Sequence, residues 1–154
     1  MLSEVYCKEI CENRAMDVDE LLRRYQEGER NFKGVNLIGS YLTEVNLSGA
    51  NLQRASLSEI DLSRANLVGV DLTEASLVRA NLTGANLTGA NLSGANLFEA
   101  KLTGAILDGA ELKMTDLIDA DLTVANLQGA NLYGAYMMGT QLQGAIMPDG
   151  KSYS

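Results

Sequence analysis

Hydrophobic positions recur every five residues along most of this chain. From Phe32 to Met147 every fifth residue is apolar, which gives 24 consecutive units without an insertion or a deletion. All of these residues are leucine except Phe32, Met137 and Met147. A small or β-branched residue, usually alanine, lies two positions earlier, and a polar residue followed by glycine often comes directly after the leucine. The pattern therefore indicates a repeat protein.

A five-residue period is incompatible with a straight helix or a straight strand. On an α-helix successive leucines would point in different directions, and on a strand an odd period would send them to opposite faces. Each unit must therefore contain a turn, for which the two residues after the leucine are suited. Repeated turns wind the chain into a β-solenoid whose alanine and leucine side chains point inward.

These units resemble the pentapeptide repeat protein family, whose pattern is A(N/D)LXX. The stretch 81–87 (NLTGANL) is typical, and the resemblance covers residues 30–149, or 120 of the 154 residues. It implies a right-handed quadrilateral β-helix with four units per coil and about six coils. The segment 17–32 also resembles the amino-terminal cap of cyanobacterial members. We therefore expect a helical cap over residues 1–29, a β-helix over 30–149 and a short tail over 150–154.

The cap region contains two predicted helices. Asp17, with Glu20 three residues later, predicts an N-cap and its reciprocal partner, and apolar residues at 18, 21, 22 and 25 follow at helical spacing. Upstream, a helix starting at Ser3 would place Cys7 and Cys11 on one side, four residues apart. These cysteines are either small packing residues or a redox pair.

The carboxyl end has no comparable capping segment. Only seven residues follow Met147, whereas apolar residues including Ile146 and Met147 are concentrated there. We therefore expect that this end is either thinly covered by the tail or paired with a second copy, which makes Ile146 and Met147 candidate contacts.

The composition excludes most catalytic and metal chemistry. The chain has no histidine, two cysteines and a net charge of −8, and its first ten residues do not look like a secretory signal. We therefore expect a cytoplasmic protein that is not an enzyme, uses no cofactor and binds neither nucleic acid nor membrane.

One column of outward-facing residues is unusually apolar. With four units per coil, residues 20 apart stack, and the column at 38, 58, 78, 98, 118 and 138 has five apolar members. We predict an interaction stripe, joined by Tyr136 near its lower end. The stripe comprises Ile38, Val78, Phe98, Ile118, Met138 and Tyr136. The alternatives are incidental surface hydrophobicity and cover of the column by a terminal segment of the folded chain.

Two functional hypotheses follow. The first is a rigid protein–protein interaction module that presents the stripe to a partner or to a second copy, as a homodimer. The second is implied by the resemblance alone, because some members of the family mimic duplex DNA and modulate DNA gyrase. Residues 30–149 carry 12 acidic and 7 basic residues. B-DNA of similar length would carry about 17 negative charges, so the charge favours the first hypothesis.

Overall fold

One helix precedes the repeats within residues 16–154. The computed structural model describes residues 16–154, so Cys7, Cys11 and the helix predicted from Ser3 lie outside the described residues. Helix α1 spans Val18–Gln26, and the Asp17 carboxylate accepts a hydrogen bond of 2.8 Å from the backbone N–H of Glu20. The N-cap prediction is confirmed. The reciprocal bond is not formed, because the Glu20 carboxylate accepts hydrogen bonds from the Arg23 guanidinium instead.

The repeats stack on one another with a period of 20 residues. Parallel bridges join Asn31 to Asn51, Asn36 to Ser56 and so on along the chain, and each strand is a single bridge residue long. We call the four resulting sides faces 1 to 4. Face 1 carries the bridge residues 31, 51, 71, 91, 111 and 131, and faces 2, 3 and 4 carry those found 5, 10 and 15 positions later.

The core is a stack of leucine and alanine side chains. Leu82, Ala85 and Leu87 are fully buried, as are their counterparts through most of the repeats. One buried polar residue, Thr115, occupies an alanine position, and its hydroxyl donates a hydrogen bond of 2.8 Å to the carbonyl of Leu92. The inward orientation predicted for both positions is therefore confirmed in the described part of the chain.

The corners are built from a left-handed backbone position and a side-chain hydrogen bond. The second residue after each leucine has a positive φ, such as 64° at Gly89 and 52° at Val124. The residue before the leucine is often asparagine or aspartate, and its side chain accepts from the N–H two residues later, as Asn46 does from Ser48. Such a turn provides this N–H with an acceptor inside the same corner and so stabilises the corner.

Candidate interaction surfaces

The predicted stripe lies on the outside of face 2. Ile38 and Met138 at its two ends are exposed, and so is Tyr136, whereas Val78, Phe98 and Ile118 are half-buried. The bridges that join positions 76, 96, 116 and 136 hold the neighbouring backbone in register, so the column is straight. The structure thus brings the six residues onto one face.

A serine divides this stripe into two parts. The Ser58 hydroxyl lies 2.9 Å from the hydroxyl of Ser76, so this step of the column is polar. Ile38 is separated from the rest of the stripe by that pair. The continuous apolar part therefore runs from Val78 through Phe98 and Ile118 to Met138, three coil steps or about 14 Å.

The backbone at the centre of the stripe, at Phe98 and Ile118, is already committed to hydrogen bonds within the solenoid. The N–H groups of Phe98 and Ile118 donate to the side chains of Asn96 and Asp116, at 2.9 and 3.0 Å. Their carbonyls accept from the N–H groups of Arg79 and Glu99, at 2.9 and 3.1 Å. A partner that lies over Phe98 and Ile118 can therefore gain side-chain contacts there but no backbone pairing.

Opposite charges alternate along the upper columns. Arg54 pairs with Glu74 at 2.6 Å, Arg64 with Glu44 at 2.8 Å and Arg79 with Glu59 at 3.0 Å, each between residues 20 apart. These pairs are exposed to solvent, so each contributes about 0–1 kcal/mol to stability. They also interrupt any continuous negative column.

Lower on face 2 the acidic residues lack such partners. Glu99 and Asp119 continue the corner column that begins with Glu59 and Arg79, and Asp116 lies on the other side of the stripe. Within residues 16–154 none of these three carboxylates is paired with a lysine or an arginine. The part of the stripe formed by Phe98 and Ile118 is therefore bordered by negative charge.

The carboxyl-terminal coil has an open edge on three faces. The backbone N–H groups of Leu132, Met137 and Leu142 have no carbonyl partner within residues 16–154, whereas the equivalent groups one coil earlier are all bonded. The core side chains of these residues are only half-buried. We call this feature the open edge, and it is the kind of surface that pairs with another strand.

The tail covers the fourth face. Ser152 forms an antiparallel bridge with Ile146, and the N–H of Tyr153 donates to the carbonyl of Ala145 at 2.7 Å. The N–H of Met147 donates to the carbonyl of Lys151 at 2.8 Å. The predicted alternatives for this end were cover by the tail and pairing with a second copy. On face 4 the tail provides the cover. Ile146 and Met147 lie beneath it, away from the open edge.

Several exposed apolar residues at this end were not predicted. Tyr133 and Met114 lie on face 1, with 77% and 52% of their surface exposed, and Val124 lies at a corner of face 3. No charged residue occurs between Asp121 and Asp149. The 20-residue stacking places each of them at an outward-facing position, which is the sequence signal for their exposure.

Three aspartates on faces 1 and 3 are held in their ionised form. Hydrogen bonds from Ser63 lower the pKa of Asp61, and those from Thr123 lower the pKa of Asp121. Burial raises the pKa of Asp71, but bonds from Thr73 and Gln53 outweigh it and bring that pKa below its usual value. Each aspartate makes one of the corner turns, so these shifts belong to the fold.

Neither metal ligation nor membrane insertion is supported by the described residues. Across residues 16–154 no group of three or more cysteine, aspartate or glutamate side chains is arranged to hold a metal ion. No helix in the same range is long and apolar enough to span a bilayer.

Comparison with known sequences agrees with this architecture. The model of the family "Pentapeptide repeats" matches with eight copies, over residues 31–67, 65–104, 95–123 and 115–149. The chain belongs to the pentapeptide repeat family. Membership implies the right-handed quadrilateral β-helix, and proteins of the family are generally structural or interaction modules. No curated protein matches the chain.

Solved structures include several members of the family. The pentapeptide repeat protein Rfr23 from the cyanobacterium Cyanothece 51142 is 31% identical, with a TM-score of 0.64, over 80% of this chain and 92% of that one. HetL from the cyanobacterium Nostoc is 29% identical over 90% and 100% of the chains, with a TM-score of 0.29. A trypsin-treated QnrB1, a plasmid-mediated fluoroquinolone resistance protein, is 18% identical over 77% and 66%, with a TM-score of 0.48. Of these three structures Rfr23 has the highest TM-score, and it supports the fold of this chain.

Proposed function

We propose that this pentapeptide repeat protein is a rigid, non-enzymatic interaction module that binds a protein partner through the stripe on face 2. The observation that carries the proposal is the continuous apolar column from Val78 to Met138, on a face whose neighbouring columns are polar. The column is half-buried from Val78 to Ile118 and exposed at Met138, and contiguous apolar surface that reaches solvent is typical of interaction sites.

The solenoid suits this role because it fixes the spacing of the side chains. Val78, Phe98 and Ile118 each directly follow a buried leucine in sequence, and the parallel bridges hold successive coils in register. A partner therefore meets a preorganised surface and loses little further conformational entropy on the module's side.

An affinity capture from lysate tests this proposal. Three baits are compared: the wild type, a stripe variant with Phe98→Glu and Ile118→Lys, and a control variant with Val68→Glu and Ile106→Lys on face 4. Val68 and Ile106 are exposed to similar degrees. Circular dichroism establishes that both variants are folded. We expect a partner that the wild type and the control capture and the stripe variant loses. Retention by the stripe variant would show that the stripe is not the binding surface.

The same experiment addresses the gyrase alternative. The paired charges of the upper columns weigh against mimicry of duplex DNA. Capture of gyrase subunits, together with inhibition of DNA supercoiling by the purified protein, would favour that alternative instead.

We also propose that the open edge supports a homodimer. Its N–H groups without a partner in residues 16–154, its exposed Tyr133 and the uncharged stretch between Asp121 and Asp149 form a surface on which two acidic copies can approach without charge repulsion. This contact would use faces 1 to 3, since the tail covers Ile146 and Met147 on face 4.

Sedimentation equilibrium over a range of concentrations tests the homodimer. Tyr133→Glu is expected to abolish any self-association, whereas Tyr41→Glu, a substitution of an equally exposed tyrosine at the other end, is expected to leave it intact. A wild-type protein that stays monomeric at the highest concentration would refute the homodimer.

A further inference from the structure

The stripe on face 2 indicates what kind of protein segment it binds. This inference rests on the proposed function, because it assigns the partner chemistry of that same surface. We propose that the occupant is an amphipathic helix whose apolar row is bordered by lysine or arginine.

The first argument comes from the backbone hydrogen bonds at the centre of the stripe. Phe98 and Ile118 have their N–H and carbonyl groups committed to bonds within the solenoid. A segment lying along this face cannot pair its own backbone with these groups, and an unpaired backbone that loses water is costly. A helix satisfies its backbone internally, so it can bury an apolar row here without that cost.

The second argument is the spacing of the column. Stacked strands are about 4.8 Å apart, and one turn of an α-helix rises about 5.4 Å. Residues at i, i+4 and i+7 of a helix laid along the column can therefore meet Phe98, Ile118 and Met138 in succession, with a mismatch of only about 1 Å over two steps. Alternate residues of an extended strand are about 6.8 Å apart and lose this match after one step.

The third argument is the charge that borders this row. Glu99 and Asp119 lie on one side of the apolar residues and Asp116 lies on the other, and none of them has a basic partner within residues 16–154. By contrast, Arg79 neutralises Glu59 at the upper end of the same corner column. Lysine or arginine on both flanks of a helix would complement these carboxylates.

Three designed peptides test the inference. They share one helical leucine pattern, and their polar positions are all lysine, all glutamine or all glutamate. Titration into the ¹⁵N-labelled protein is followed by NMR. We expect the lysine peptide to shift the amides of residues 96–99, 116–119 and 136–139 and to bind at least about tenfold more tightly than the glutamine peptide. The glutamate peptide should not bind.

Two variants separate a specific site from general attraction to an acidic protein. Glu99→Gln with Asp119→Asn should reduce the affinity for the lysine peptide to that for the glutamine peptide. The control, Asp108→Asn with Glu111→Gln, removes the same charge from faces 4 and 1 and should leave that affinity unchanged. Shifts spread evenly over the acidic residues of all faces would overturn the inference.

The outcomes also separate this inference from the proposed function. Equal binding of the lysine and glutamine peptides at the stripe would refute the basic border and leave the interaction module intact. If no peptide shifts the stripe and the Phe98→Glu/Ile118→Lys variant still captures every partner of the wild type, both proposals are wrong.

Discussion

The two ends of the solenoid are finished in different ways. At the amino end, α1 buries Leu21 completely against the first coil, and the Tyr25 hydroxyl donates a hydrogen bond of 2.8 Å to the carbonyl of Ser48. At the carboxyl end, the tail covers face 4, and the leucine positions of faces 1 to 3 remain half-buried with unbonded N–H groups. One end is therefore sealed by side-chain packing, and the other presents a surface that can still bind.

The two ends of the solenoid also differ in charge. Around the sealed end, Arg23 and Arg24 form ion pairs with Glu20, Glu27 and Glu29, whereas faces 1 to 3 of the last coil contain no charged residue. A charged rim keeps a solenoid end soluble, and an uncharged rim favours association. The following predictions test this difference, beginning with the largest expected effect.

Loss of the cap should cost more than an equal loss at the open edge. Leu21→Ala removes a fully buried side chain, so we expect the free energy of unfolding to fall by about 2–5 kcal/mol. Leu132→Ala, the matched change in the half-buried last coil, should cost less than half as much. Urea denaturation measures both values. Equal losses would mean that the two ends are equally well packed.

Hydrogen exchange should distinguish the last coil from the one before it. The amides of Leu132, Met137 and Leu142 have no carbonyl partner in the described chain, so in dilute solution they should exchange at least about 100-fold faster than those of residues 112, 117 and 122. NMR-detected exchange provides the rates. Protection that rises with protein concentration would sharpen the comparison, because it would place a second copy on the open edge.

The hydrogen bond that ties the cap to the first coil should have a moderate effect. Tyr25→Phe removes the donor to the Ser48 carbonyl and is expected to destabilise the protein by about 1 kcal/mol. Tyr133→Phe at the open edge removes a hydroxyl that forms no hydrogen bond within residues 16–154, and should leave stability unchanged. A similar loss in both variants would show that the effect is not specific to the cap.

The smallest effect concerns the aspartates of face 3, one near each end. The pKa values of Asp61 and Asp121 are lowered in the folded state by the hydrogen bonds of their turns. Their stabilisation is therefore fully present above the unfolded pKa of about 3.9 and is lost as the pH falls through the folded pKa. Asp61→Asn and Asp121→Asn should each reduce the loss of thermal stability below about pH 4, and to the same extent. Unequal effects would show that the two ends also differ in the electrostatic contribution of these aspartates to stability.

The repeat was predictable from sequence because each five-residue unit contains the residues that determine its own conformation. A leucine whose period excludes helix and strand, an alanine two residues earlier and an asparagine that closes the turn together define a corner such as 81–85. Stacking then follows from the uninterrupted register. The column that contains Phe98 and Ile118 could be located for the same reason.

The ends were less predictable because each depends on contacts that occur once. Glu20 was expected to bond the backbone of its own N-cap, but Arg23 offers its carboxylate a charged partner one turn away. Ile146 and Met147 were expected to be available for contact, but the glycine at position 150 allows the tail to reverse over them with a φ of 80°. No periodic signal encodes such a reversal.

The 20-residue stacking period also constrains how this protein can change its length. Insertion of one five-residue unit above Phe98 would move every later residue to the neighbouring face and divide the stripe, although the core would remain intact. Insertion of four units would add one coil and preserve every column. Insertions of five residues thus preserve the hydrophobic core, whereas only insertions of 20 residues preserve the columns of the surface. A protein family with this fold can therefore vary in length by single units, but it keeps a binding face only when whole coils are added or removed.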